Sequence, residues 1–392
     1  MTAAASARTV DTAGPLDDWL RERREQREEA GLRRRLRPLP AGCVDLASND
    51  YLGLSRDPRV VAAARAALDE FGTGSRASRL VTGTLGIHEG LERELCALTG
   101  QPAALAFSSG YAANTGVLTA LGDADTLIVS DAHAHASLVD GARLSRSPVR
   151  IARHSDVAHV AQLLAERSET RAIVVVESVY SVWGDHAPLR DLAEMCKRQN
   201  ALLLVDEAHG IGVAGGGRGL VHKLGLAGSP HVALTLTLSK ALGAQGGAVL
   251  GSPALREHLV NTARPFIFDT ALAPASSAAA TEAARIIGEA PELADRLHER
   301  ARFVATTLNV PHARAAVQSV PMVTPESAVR AAEQLRARGI AVGCFRPPSV
   351  PDGISRLRIT APGNMELQEL SGALDHVREV LADVSGGDPV TP

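Results

Sequence analysis

Lysine is nearly absent from this 392-residue chain. It occurs only at Lys197, Lys223 and Lys240, leaving 38 of the 41 basic residues as arginine. Chemistry that needs a primary amine therefore has three candidates. Cysteine is scarce too, and Cys43, Cys96, Cys196 and Cys344 stand far apart with no Cys-x-x-Cys. That spacing argues against a disulfide framework and a cysteine zinc site, and no other metal site is indicated. No apolar run approaches the ~18 residues of a membrane span. The basic start and apolar stretch of a secretory leader are missing. A net charge of −3 gives no chain-wide reason to expect nucleic acid or an anionic membrane. What remains reads as a cytoplasmic protein of ordinary globular composition, 45% hydrophobic and 22% charged. At ~100–200 residues per domain, it has room for two or three domains.

Residues 1–15 are small, polar and unpatterned, and read as a mobile tail. From Leu16 to about Arg37 the chain is dense in Arg and Glu, which predicts a solvated, charge-paired helix ending before Pro38. From about Val44 to Ala290, short apolar runs alternate with helical stretches. The strand candidates are 103–107, 126–129, 172–176, 201–205, 232–238 and 247–250. Helical patterns such as 157–167 and 189–199 lie between them. Such runs predict an α/β unit, a mainly parallel sheet covered by helices on both faces. From about Pro291 the pattern becomes helix-rich with Pro-rich connections, predicting a smaller α+β unit.

In open parallel sheets, ligands sit outside the carboxyl ends of the strands. Here those ends carry polar chemistry: Ser108-Ser109-Gly110-Tyr111, Asp131-Ala132-His133-Ala134-His135, Glu177 with Ser181, Asp206-Glu207-Ala208-His209, and Ser239-Lys240. Singly, each has an ordinary explanation as turn, helix cap or surface residue. Their convergence on one sheet edge is harder to dismiss. Gly210-x-Gly212-x-x-Gly215 imitates a dinucleotide fingerprint, but no Asp or Glu occurs between Glu207 and Glu257 to hold a ribose. Asp206-Glu207-Ala208-His209 spells a helicase box with no phosphate-binding Gly-Lys loop to serve it. No Gly-x-Ser-x-Gly elbow occurs either.

Pyridoxal phosphate accounts for the set. A lysine amine forms a Schiff base with its aldehyde, and an Asp keeps the pyridine nitrogen protonated as electron sink. A turn that opens a helix, such as Ser109-Gly110-Tyr111, offers N–H groups to the phosphate. Lys197 lies in a charged helix end, and Lys223 follows the Gly-rich loop. Lys240 alone ends an apolar strand.

These residues lie in motifs that resemble the α-oxoamine synthases, a branch of the fold-type I pyridoxal-phosphate transferases. The motifs include Ser48-Asn49-Asp50-Tyr51-Leu52-Gly53-Leu54, Ser109-Gly110-Tyr111-Ala112-Ala113-Asn114, His135-Ala136-Ser137-Leu138, Thr237-Leu238-Ser239-Lys240 and Arg356-Leu357-Arg358-Ile359-Thr360. The likeness spans about Leu32 to Leu381. It implies an N-terminal segment (1–45), a large cofactor-binding domain (46–290) and a small C-terminal domain (291–392). It also implies that Lys240 holds pyridoxal 5′-phosphate and moves the α-proton, while Asp206 pairs with the ring nitrogen. By the same likeness His209 and Ser181 support the ring's phenolic oxygen, His135 stacks on the ring, and Gly110, Tyr111 and Thr237 hold the phosphate. Arg358 falls to the amino-acid carboxylate and Arg33 to the acyl substrate with Thr360 near it, and Asn49 is counted among the substrate-binding residues. The family's homodimer would bring Thr270 to the neighbouring subunit's phosphate.

Within the family, Asp206–Gly219 and Gly243–Gly251 look most like the branch that joins L-alanine to a pimeloyl thioester, carried by coenzyme A or a carrier protein, in biotin synthesis. Two residues depart from the common pattern: Glu207 replaces a second Asp, and Gly210 stands where relatives tend to carry Ala or Ser. The alternatives are a glycine or serine C-acyltransferase of the same family, or a fold-type I aminotransferase.

Overall fold

The structure is a computed structural model that describes residues 14–347, 349–350 and 352–384. Most of the tail at 1–15, and Pro348 and Pro351 of the Pro-rich connection, lie outside the described residues. The strands in chain order are β1 (Val44–Leu46), β2 (Ala103–Phe107), β3 (Thr126–Asp131), β4 (Val149–Ala152), β5 (Arg171–Glu177), β6 (Leu202–Asp206), β7 (Val232–Thr237), β8 (Gly247–Gly251), β9 (Val317–Pro321), β10 (Ile340–Phe345) and β11 (Arg356–Thr360). Seven form one sheet in the order β2-β8-β7-β6-β5-β3-β4. Only β8 runs against its neighbours, so the other strands end on one edge. The apolar runs follow from burial on both faces. In β5, Ala172, Val174 and Val176 enter one core while Ile173 and Val175 enter another.

The second sheet, β1-β10-β11-β9, packs over a separate core that includes Leu46, Val320, Leu357, Ile359 and Val377. β1 pairs in parallel with β10, so the boundary expected at 45/46 falls inside a strand of the small sheet. A three-residue strand is too short to carry a periodic signal, and its partner lies some 300 residues on. Alternation along β11 sends Leu357 and Ile359 into the small core and turns Arg356, Arg358 and Thr360 to the opposite face.

The N-terminal helix runs Pro15–Glu29, ending well before the expected Arg37. Gly31, at φ +64°, turns the chain so that the Leu32 N–H reaches the Arg27 carbonyl at 2.8 Å and the Gly31 N–H the Glu28 carbonyl at 3.0 Å. That is a glycine C-cap. Arg33 therefore lies beyond the helix, not at its end. The Gly210–Gly219 segment forms turns with Gly212 and Gly215 at positive φ and leads only into the four-residue helix Leu220–Lys223. It does not open a phosphate-binding helix.

Candidate active site

β6 delivers Asp206 at its last residue, 5% exposed, in register with Glu177 of β5. Asn114, one turn into helix Gly110–Leu121, donates from Nδ2 to Asp206 Oδ2 at 2.8 Å and to Ser137 Oγ at 2.9 Å. The Ala208 N–H supplies Asp206 Oδ1 at 2.8 Å. His135 caps helix Ala136–Leu144, with Nδ1 2.8 Å from Ser137 Oγ. A chain Asp206–Asn114–Ser137–His135 thus fixes the acid and the ring beside it. Burial lowers the His135 pKa, with Asp206 opposing and Lys240 adding to the fall.

Lys240 follows β7, and its Nζ lies 2.9 Å from His209 Nε2. Burial pushes its pKa below the ordinary lysine value, while the Asp206 and Glu177 charges work against that fall. The other ring nitrogen of His209 meets Tyr51 Oη at 2.6 Å. Burial, then the cations Lys240 and Arg358, hold His209 well below the usual imidazole range. A neutral imidazole is therefore wedged between a phenol and an amine. The amine, in turn, is inclined to give up its proton.

Gly110 and Tyr111 occupy the first turn of their helix, behind the N-cap Ser109, whose hydroxyl accepts the Ala112 N–H. First-turn N–H groups have no carbonyl one turn back, and the helix dipole favours an anion there. A Cβ on Gly110 would lie 3.0 Å from Thr237 Cβ. Only glycine leaves the space between this helix and the end of β7 free. Thr237 Oγ1 pairs with Ser239 Oγ at 2.7 Å, and Tyr111 Oη donates to Asp140 at 2.6 Å.

Arg358 reaches from the small sheet to the large one. Its Nη2 donates to Asn49 Oδ1 at 2.7 Å and its Nη1 to the Ser181 carbonyl at 3.3 Å. The guanidinium lies 4.6 Å from the Phe345 ring centre, and its buried Nε has no partner among the described residues. Thr360 Oγ1 is equally buried and unpartnered. Ser181 enters this network through its carbonyl. Arg33 is exposed and ion-paired with Glu28, away from this hydrogen-bond network. Thr270 is exposed beyond helix Arg264–Ile267, and no described hydrogen bond joins it to the site.

Three residues of this edge were given no role from the sequence. Asn114 is a polar residue inside an otherwise apolar helix, and that misfit was its signal. Tyr51 lay in a quoted motif without a role. Glu177 is 2% exposed, carries an unpartnered Oε1, and is raised well above the carboxyl range by burial and by Asp206 beside it. The donor set fits pyridoxal phosphate: an amine shifted toward its neutral form, a buried carboxylate with no cation bonded to it among the described residues, and a glycine-made anion cup.

Residues 41–377 match the family model for aminotransferase class I and II. The 8-amino-7-oxononanoate synthase of Mycobacterium sp. (strain KMS) is 54% identical over 370 residues, 93% of this chain and 96% of that protein. That of Mycobacterium bovis (strain BCG / Pasteur 1173P2) is 51% identical over 387 residues, 98% of each. Among solved structures, serine palmitoyltransferase from S. paucimobilis with a bound PLP–myriocin aldimine matches with a TM-score of 0.87 at 29% identity, covering 96% of this chain and 100% of that one. The 8-amino-7-oxononanoate synthase from Francisella tularensis matches with a TM-score of 0.74 at 26% identity, covering 88% and 99%. With the site's geometry and these relatives in agreement, the chain belongs to the α-oxoamine synthases, pyridoxal-phosphate enzymes of the aminotransferase class I and II family.

Proposed function

We propose that this protein condenses L-alanine with a pimeloyl thioester to give 8-amino-7-oxononanoate, carbon dioxide and the free thiol, 8-amino-7-oxononanoate being the product in the name of the relatives it matches. The observation that carries the reading is the pairing of two units across one cleft: the Lys240–His209 and Asp206–Asn114 pairs on the large sheet, and the Arg358–Asn49 pair from the small one. One unit suits the cofactor and the other an amino-acid carboxylate.

Pyridoxal phosphate, when bound, supplies an aldehyde for amines and a protonated ring that withdraws electrons from the substrate α-carbon. The chain's residues do the rest. Asp206, fixed by Asn114, presents a carboxylate to the ring nitrogen. Gly110, Tyr111 and Thr237 receive the phosphate. His135 would pack against the ring, and His209 with Ser181 would support its phenolic oxygen. Lys240, inclined toward the neutral amine, takes the proton from the alanine α-carbon and later returns one. Between those transfers a carbon–carbon bond forms to the thioester carbonyl and the C–S bond breaks. The bond to the carboxylate then breaks to release carbon dioxide. Arg358 holds that carboxylate with a planar fork, which sets its orientation for cleavage. Arg33 and Thr360 attend the acyl chain. In this reading the protein is a cytoplasmic homodimer, and Thr270 serves the neighbouring subunit's site.

The serine palmitoyltransferase likeness favours a second reading, a serine or glycine C-acyltransferase. A matrix of alanine, glycine and serine against pimeloyl and long-chain monocarboxylic thioesters, read as carbon dioxide release, tests both. Alanine with pimeloyl thioester is expected to dominate. Preference for serine with a long acyl chain would overturn the assignment.

A further inference from the structure

Asp131 ends β3 and His154 follows β4, the outer strand of the large sheet. His154 Nδ1 lies 2.8 Å from Asp131 Oδ1, and its Nε2 lies 2.8 Å from Asp185 Oδ2. Carboxylates only accept, so both ring nitrogens must donate, and only an imidazolium can do that. His133 stacks on this ring with centres 3.8 Å apart, while Tyr180 and Trp183 meet it edge-on at 4.5 and 5.4 Å. Burial, then the charge on His154, keep His133 below its ordinary value. Arg356, paired with Asp352, faces the cluster from β11. The cluster's core is thus one cation held between two carboxylates.

What this cluster holds is the turn at 180–185. The Tyr180 N–H donates to the Asp185 carbonyl and the Gly184 N–H to the Tyr180 carbonyl, each at 2.9 Å, which closes the turn on itself. On its other side the turn meets the small sheet. The Ser181 carbonyl accepts Arg358 Nη1 at 3.3 Å, the Val182 carbonyl accepts Ser319 Oγ, and the Trp183 ring centre lies 5.4 Å from the Arg356 guanidinium. Loss of the imidazolium charge would leave the Asp131 side chain, 4% exposed, and Asp185 as two acids with no cation between them. Repulsion between like charges is strong out of water, and an uncompensated buried charge is costly. The turn would then shift, and the Ser181 carbonyl with it.

We propose that His154 is a positioning residue for the amino-acid substrate: as an imidazolium shared by Asp131 and Asp185 it sets the 180–185 turn, and through the Ser181 carbonyl it aims the Arg358 fork at the substrate carboxylate. The inference rests on the reading of Arg358 as the amino-acid clamp, and adds the residue outside the cofactor site that orients it. Burial disfavours the imidazolium, but its hydrogen bonds to the two carboxylates outweigh burial and raise its pKa to about 9. The turn is therefore set at neutral pH and released as pH rises through that value.

The chain has two tryptophans, so Trp19→Phe leaves Trp183 as the one indole reporter. An imidazolium quenches a neighbouring indole more than a neutral imidazole does. Holoenzyme carrying Trp19→Phe is expected to brighten in one step as pH passes about 9, and to lose that step when His154→Gln is added. Asp185→Asn, a change at a partly exposed side chain, is expected to move the step to lower pH. Alanine binding is read from the visible absorbance of the bound cofactor with no acyl donor present. At neutral pH His154→Gln is expected to weaken alanine by about 10-fold, the scale of one hydrogen bond to a charged group. That gap should close as pH rises through about 9, because wild type then loses the same charge. In turnover the loss should fall on the apparent KM for alanine, with that for the acyl thioester unchanged. A fluorescence step that survives His154→Gln, or that Asp185→Asn leaves in place, overturns the proposal. Arg358→Lys, measured alongside, separates the two readings. If it weakens alanine and His154→Gln does not, the clamp stands and this inference falls. If neither does, the amino-acid reading of Arg358 falls, and this inference with it.

Discussion

A methyl group at position 210 would sit 1.8 Å from Glu207 Oε2 and 2.6 Å from Ser178 Oγ. Neither neighbour can easily give way. Glu207 and Ser178 are each 0% exposed, Ser178 Oγ donates to Glu207 Oε2 at 2.6 Å, and the Val221 N–H donates to Oε1 at 2.6 Å. Gly210 itself is not in the left-handed region, so alanine is conformationally free to stand there. The obstacle is the carboxyl group. Glu207 and Gly210 are the two departures from the family pattern, and the structure joins them: the longer acid fills the space where residue 210 would carry its Cβ. Overpacking costs about 1–3 kcal/mol, and a disturbed hydrogen bond to a charged group about 1.5–3 kcal/mol. Gly210→Ala is thus expected to destabilise by roughly 2.5–6 kcal/mol. Glu207→Asp alone withdraws the carboxyl from Val221 and is expected to cost roughly 1.5–3 kcal/mol. In the double variant the shorter acid makes room for the methyl group, which fills part of the space the acid leaves. The coupling is expected to recover about 1–3 kcal/mol. Urea unfolding of all four proteins at one cofactor loading, with midpoints compared at unchanged slope, measures the cycle. A double variant whose loss equals the sum of the two single losses refutes the reasoning.

Lys240→Ala should abolish the visible absorbance of bound cofactor, whereas Lys197→Ala and Lys223→Ala should keep it; bleaching by Lys223→Ala would move the attachment site. Asn114→Ala removes the side-chain donor from Asp206 Oδ2. Equilibrium dialysis should show cofactor affinity reduced by about 1.5–3 kcal/mol, and unchanged affinity would deny Asn114 its positioning role. His154 lies 2.8 Å from both Asp131 and Asp185, with His133 stacked on it at 3.8 Å. Burial disfavours its charge, but hydrogen bonds to the two carboxylates outweigh burial and raise it from 6.5 to about 9. Its folded value is the higher one, so its contribution is full below about pH 6.5 and lost as pH rises through about 9. The stability gap between wild type and His154→Gln should narrow over that window by at most roughly 3 kcal/mol, and a flat or widening gap counts against the clamp. Arg358→Lys should raise the apparent KM for alanine with little change for the acyl thioester, because an ammonium cannot reproduce the bidentate fork; equal effects on both substrates would remove Arg358 from the amino-acid site.

The central strands were legible because both faces of β3, β5, β6 and β7 are buried, and double burial leaves an apolar run in the sequence. Lys240 was legible by scarcity and by its place after such a run. The Arg358 face followed from strand alternation alone. Local pattern reaches no further than the element that carries it. The glycine that stops the first helix at Glu29 was present in the sequence, but a run of paired charges masked it. Parallel pairing of β1 with β10, the grip of Tyr51 on His209 and that of Arg358 on Asn49 join residues 158 or more positions apart. A cavity lined by Arg24, Arg27, Arg34 and Arg346 likewise needs two ends of the chain. By itself, the sequence determined an α/β sheet, an edge rich in polar residues and a lysine placed at that edge. Only the tertiary structure decided which side chains meet, because partners across a sheet edge or a domain cleft are chosen by packing and charge in three dimensions, and neither leaves a period in the chain.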